Sequence, residues 1–247
     1  MNRILTIFTT SLAVATLAFA INPTYWTLII TFFVTCTVVI FGLWIESIIK
    51  TKGSNSFNKF IYYFTRNDKF YNLESINCTY ICKKNNEYEC RRVEKIKSNR
   101  RDLQGIDEHF LWSANSSSAT IKAYEANQKI NSIHQEDDRT CFTIDFGTVC
   151  PKNEQIQTGS IIENLKDPQN TALPFFSFTV TRKTKLLVIT VEFQSQLPQG
   201  AVLFKAKALG VQVGEAEVLE YDHRKQGYTK TVPYPRKGWQ YLISWEK

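Results

Sequence analysis

The common catalytic signatures are missing from these 247 residues. There is no G-x-S-x-G elbow, no G-x-x-x-x-G-K-S/T phosphate loop, no G-x-G-x-x-G fingerprint and no H-E-x-x-H zinc helix. Each absence removes a class: serine hydrolase, P-loop nucleotidase, dinucleotide oxidoreductase, zinc peptidase. Histidine is scarce, with only His109, His134 and His223. Acids stand beside two of them, in Asp107-Glu108-His109 and Asp222-His223, but that adjacency is common on surfaces and assigns no general base. The chain is therefore not expected to be an enzyme, and no catalytic residue is named.

Cysteine is sparse and badly spaced for metal. Cys78, Cys82 and Cys90 form C-x3-C-x7-C, and His109 follows nineteen residues after Cys90, which is not a zinc pattern. Neither a metal nor a cofactor is expected. Apart from Cys36, which lies in an apolar run, five cysteines remain, an odd number that suits free thiols in a reducing compartment. Cys141 and Cys150 would face each other across a hairpin, and could form a disulfide only in an oxidising one. No long repeat and no low-complexity tract is present.

Charge, too, is absent from one long stretch, between Arg3 and Glu46. That run reads as two membrane crossings. Ile4–Ile21 would rise roughly 27 Å as a helix, Tyr25–Ile49 is comparable to or longer than the ~30 Å hydrocarbon core, and Asn22-Pro23-Thr24 breaks them. Lys50, Lys52, Lys59 and Arg66 follow the second span, so the positive-inside rule places both termini in the cytoplasm of a multi-pass inner-membrane protein. The competing reading is a signal peptide cleaved after Ala18-Phe19-Ala20. Thr27, Thr31 and Thr35 recur at i, i+4, i+8 on one face of the second helix. They either allow close helix packing or, with Glu46 at the mouth, line a pore that requires self-assembly.

The net charge of +7 is concentrated after that run. Residues 50–101 hold thirteen Lys/Arg against five Asp/Glu, and residues 102–247 hold sixteen against seventeen. Such an excess suits anionic headgroups of a lipid bilayer or an anionic ligand. Asn85-Asn86 reads as the turn of a small hairpin between Tyr80-Ile81-Cys82 and Tyr88-Glu89-Cys90. Leu103, Ile106 and Phe110 suggest a helix, as do Ile121, Tyr124, Gln128 and Ile130. From Thr140 the period becomes two: Leu187/Ile189/Val191/Phe193 and Trp239/Tyr241/Ile243/Trp245 each line one strand face. About eight short strands describe an antiparallel β-barrel or β-sandwich. The expected class is thus an α+β membrane protein: a two-helix transmembrane hairpin (1–49), a mixed, α-rich middle segment (50–139) and an antiparallel β domain (140–247).

Basic residues near the turns of the β domain are the candidate ligand contacts: Arg182, Lys183 and Lys185; His223, Arg224 and Lys225; Arg236 and Lys237. The aromatics Tyr221, Tyr228, Tyr234 and Trp239 lie near them and could stack on a base. The ligand set is Arg182, Lys185, Tyr221, Arg224, Lys225 and Trp239. Ordinary solvated turn residues would look the same in sequence.

The hairpin ILTIFTTSLAVATLAFAINPTYWTLIITFFVTCTVVIFGLWI, followed by a β-rich end such as KLLVITVEFQSQ and GWQYLISW, resembles the layout of two-helix membrane effectors of nucleotide-signalled bacterial anti-phage defence. Both the CBASS β-barrel type and the Hailong type share it. The resemblance is one of architecture and transfers no site residue. It implies a homo-oligomeric sensor that binds a cyclic or linear oligonucleotide and controls membrane permeability as an ion channel. The alternative is a membrane-tethered adaptor that binds a partner protein through an exposed strand edge without conduction.

Overall fold

A computed structural model describes residues 34–37, 68–112, 119–137, 139–194 and 197–246. The chain divides into two compact units, Met1–Phe57 and Asn58–Lys247. In the first, only one helical turn, Val34–Thr37, is described.

The expected transmembrane hairpin is not seen among the described residues. Among the described residues no helix is long and apolar enough to cross a membrane. A spanning helix needs about 20 consecutive residues whose backbone groups are all bonded within the segment; of the two expected spans only Val34–Thr37 is described, and Ile4–Ile21 with the rest of Tyr25–Ile49 lies outside the described residues. An apolar composition meets only the first half of that requirement. Without a spanning helix among the described residues, neither the multi-pass inner-membrane location nor the transmembrane channel is supported. Of the proposed pore-lining set, Thr35 lies in the helical turn, half-buried, while Thr27, Thr31 and Glu46 lie outside the described residues.

Among the described residues the second unit has fifteen strands: β1 (Tyr71–Cys82), β2 (Glu87–Ser98), β3 (Leu103–Leu111), β4 (Thr120–Ala123), β5 (Lys129–Glu136), β6 (Arg139–Cys150), β7 (Gln155–Lys166), β8 (Phe175–Thr179), β9 (Leu186–Phe193), β10 (Leu203–Ala208), β11 (Val211–Gln212), β12 (Glu217–Val218), β13 (Tyr221–Asp222), β14 (Gly227–Pro233) and β15 (Trp239–Ser244). A seven-stranded sheet runs β13-β14-β9-β1-β2-β7-β4, a five-stranded one is built on β11-β10-β15-β8 with β12 beside β10, and a three-stranded one is β3-β6-β5. Each described sheet ends on open edges, so they form no closed barrel. Nor is the large sheet purely antiparallel, because β1 and β9 run parallel from Ile76/Leu187 to Cys82/Phe193.

The middle segment, expected to be α-rich, is instead mostly strand among its described residues, with one 3-10 turn at Lys84–Asn86. Residues 103–111 form a strand, and its inward positions are Ile106, Glu108 and Phe110. A glutamate in the middle of that row hides the period of two and leaves Ile106 and Phe110 at a helical spacing. Leu103 falls out of phase because the ladder slips between Leu103 and Gly105. Ile121 lies in β4 and Ile130 in β5, with Tyr124 and Gln128 in the turn between them. Gln128 is buried there, accepting from Thr158 Oγ1 at 2.8 Å and donating to the Gln157 carbonyl at 2.8 Å.

Elsewhere the alternation is the fold. β1 and β2 pair through a turn in which Asn85 and Asn86 take left-handed φ of 60° and 54°, a conformation that asparagine tolerates better than most residues. β9 buries Leu187, Ile189 and Val191 completely. Side chains from all three sheets meet in one apolar core, among them Ile76, Ile96, Ile106, Ile144, Phe146, Leu165, Ile189 and Ile243. The expected hairpin of Thr140–Ile144 and Gly147–Cys150 is instead the one continuous strand β6, with Gly147 inside it at φ +69°. Cys141 and Cys150 therefore share one strand and do not face each other, and both are free thiols.

Candidate functional site

The start of β1 is held by Asp68. Its carboxylate accepts from the Lys183 backbone N–H at 2.7 Å and from Lys237 Nζ at 3.0 Å, and its carbonyl accepts from the Asn99 side-chain amide at 2.6 Å. Four segments far apart in sequence are thereby drawn to one end of the large sheet: residues 68–74, 99–102, 182–185 and 236–239. They carry eight cationic side chains, on Lys69, Arg100, Arg101, Arg182, Lys183, Lys185, Arg236 and Lys237, against three carboxylates, on Asp68, Glu74 and Asp102.

Several of these cations lie on apolar faces, with their charge at the surface. Arg182 stacks on the Tyr71 ring at 4.3 Å, Arg236 on Trp239 at 4.6 Å and Arg100 on Phe70 at 5.4 Å. Lys185 pairs with Glu74. The Lys183 ammonium is held below its usual range by partial burial and by Lys185, against the pull of Asp68. Crowded cations of this kind are stabilised by an added anion.

The candidate ligand set is split by this geometry. Arg182, Lys185 and Trp239 come together at the Asp68 end. Tyr221, Arg224 and Lys225 sit on the β13–β14 hairpin, where Gly227 pairs with Glu192 at the opposite end of β9 from Leu186. Eight residues of β9 separate them, or about 23 Å at 3.3 Å per residue. On that hairpin Tyr221 packs edge-on against His223 and Tyr228 at 5.0 and 5.3 Å. The backbone N–H groups of Arg224 and Lys225 close a turn on Asp222 Oδ1.

Beneath the basic end lies a cluster that sequence reasoning missed. Alternation in β2 turns Cys90, Arg92 and Glu94 inward, opposite Tyr80, Cys78 and Ile76. Arg92 pairs with both Glu94 and Glu108, the latter from the three-stranded sheet, and lies over the Phe178 ring of the five-stranded sheet at 4.8 Å. The two glutamates are 1% and 6% exposed, and Glu94 Oε2 has no hydrogen-bond partner. Burial pushes the Glu108 carboxyl up to about 8, Arg92 opposing and Glu94 adding to the shift. Burial likewise raises the Tyr71 hydroxyl, with Glu108 and Glu94 reinforcing it. Arg182 acts on Glu108 in the sense of Arg92, so the surface cations and the buried acids share one field. The available signal was the period of two in Arg91–Lys97, hidden because all of its charged residues looked solvated.

No protein-family profile matches the chain, and no curated protein matches its sequence. Among solved structures it is similar to the M1 zinc metallopeptidase of Deinococcus radiodurans, at a TM-score of 0.39 and 10% identity over 72% of this chain and 43% of that one. A two-domain M1 zinc metallopeptidase variant bound to L-arginine matches at 0.38 and 10%, with the same coverage. The chain thus spans less than half the length of these structures.

Proposed function

We propose that residues 68–246 form a recognition domain that binds a phosphate-bearing ligand of nucleotide or short oligonucleotide type at the Asp68 end of the large sheet. One observation carries this reading: eight cations from four separate segments converge on that end against three carboxylates. Guanidinium groups preset on aromatic faces suit phosphate, because a planar fork of donors meets two oxygens at once. Trp239, half-buried beneath Arg236, offers the neighbouring apolar surface that a base requires.

The expected result is binding of a fluorescent single-stranded oligonucleotide that weakens with salt. For three neutralised phosphates, affinity falls about 20-fold between 50 and 200 mM salt. Arg182→Glu with Lys237→Glu abolishes the anisotropy change, whereas Arg224→Glu, at the far end of β9, leaves it intact. No binding, or equal loss in both variants, overturns the assignment.

The adaptor reading has one observation in its favour: β5 is an edge strand exposed along most of its length. A bulge between Asn131 and His134 interrupts that edge, and interruptions of this kind blunt strand addition. This ranks it second.

A further inference from the structure

The three-stranded sheet carries a second constellation, unrelated to the basic end. In its registers His109 lies directly opposite Cys141, and Cys141 directly opposite His134. Directly paired residues project from the same face of a sheet, so one row across β3, β6 and β5 reads His109–Cys141–His134. Glu136 is two residues beyond His134 and shares that face. Donor atoms of His134, Glu136 and Cys141 all lie within 4.8 Å of one another.

We propose that His134, Glu136 and Cys141 bind a divalent transition metal of the zinc class, with His109 closing the coordination as fourth ligand. Nitrogen, oxygen and sulfur donors in one set match a borderline-soft ion and not calcium or magnesium, which take oxygen alone.

Two further details fit. Cys141 Sγ donates to Glu136 Oε2 at 3.5 Å, and bond lengths of roughly 2.3 and 2.0 Å at the tetrahedral angle give an S–O edge of about 3.5 Å. A metal would take the place of the shared thiol proton, which leaves for solvent as the metal–thiolate bond forms. His134 Nδ1 lies 2.8 Å from the Ser132 carbonyl. Because a carbonyl only accepts, that contact fixes the proton on Nδ1 and leaves the Nε2 lone pair for a metal, the usual outer support of a ligating histidine. Ser132 aims its carbonyl from inside the β5 bulge at a left-handed φ of 52°. Arg139 lies opposite Glu136 on the same face, and its charge sets the affinity below that of the ligands alone.

Cobalt(II) titrated into the reduced full chain tests the site. The expected result is one equivalent bound, with a thiolate-to-cobalt charge-transfer band in the near ultraviolet and intense tetrahedral d–d bands in the visible, both erased by zinc. Cys141→Ser removes the charge-transfer band. His134→Ala weakens binding by at least about 100-fold, beyond the 10–100-fold typical of losing an outer partner. His109→Ala turns the d–d spectrum away from the four-coordinate form. Failure to bind, binding without the charge-transfer band, or a band that survives Cys141→Ser and so belongs to another thiol, each overturns the proposal.

Discussion

Arg92→Met should cost about 3–5 kcal/mol of stability at alkaline pH, and clearly less at acid pH. Methionine keeps much of the volume over Phe178 but removes the cation between Glu94 and Glu108, leaving two buried carboxylates with no counter-charge from Arg92. Wild-type chemistry fixes the sign. Glu108 titrates near 8 in the folded protein against an ordinary 4.5, so between those values the folded state holds a proton that the unfolded chain releases. Its stabilising contribution is complete below 4.5 and is lost as pH rises through 8, at up to about 1.4 kcal/mol per pH unit. Without Arg92 the carboxyl rises further, since the one neighbour that most lowers it is gone. Urea melts of the full chain at about pH 5.5 and about pH 8.5 measure the difference. Glu108→Gln is the companion: it removes the titration and should flatten the wild-type decline across that range. Equal losses at both pH values for Arg92→Met would mean that the side chain stabilises by packing alone.

That cluster also marks where the sequence is hard to read. Leu187, Ile189 and Val191 announce their strand because every inward residue is apolar. In β2 and β3 the inward rows contain Arg92, Glu94 and Glu108, and the same geometry looks like a solvated basic run and a helix. The paired asparagines Asn85-Asn86 are legible as a turn because few other residues accept that backbone. The Asp68 end was half-legible. Arg182, Lys183, Lys185, Arg236 and Lys237 are recognisable as turn cations, but their convergence rests on the parallel pairing of β1 with β9, strands more than 100 residues apart. Grouping the cations by sequence alone put Tyr221, Arg224 and Lys225 with them, although the fold sets those three at the other end of β9. The His109–Cys141–His134 row is likewise invisible in spacing, because it runs across three strands.

Gly159→Ala should be the most damaging change of a single methyl, more than about 4 kcal/mol or failure to fold. Gly159 lies in β7 opposite Val93, and a Cβ built there would stand 2.0 Å from the Arg92 carbonyl oxygen and 3.0 Å from both the Arg92 carbonyl carbon and the Val93 Cα. The obstruction is backbone on the next strand, so no side chain can swing aside, and β2 and β7 must part along a ladder that joins β7 and β4 to the rest of the large sheet. Because the collision is with Arg92 itself, the displacement reaches the buried ion pairs, and the variant should also lose the pH dependence attributed to Glu108. Gly210→Ala is the control. Gly210 has φ +79° with nothing within 4 Å of the added carbon, so alanine there pays only the left-handed strain of roughly 1–2 kcal/mol. Thermal unfolding of both variants at one pH compares them. A Gly159→Ala loss no larger than that at Gly210 would show that the strands can yield at Arg92, and that the close approach does not fix the position of the buried charges.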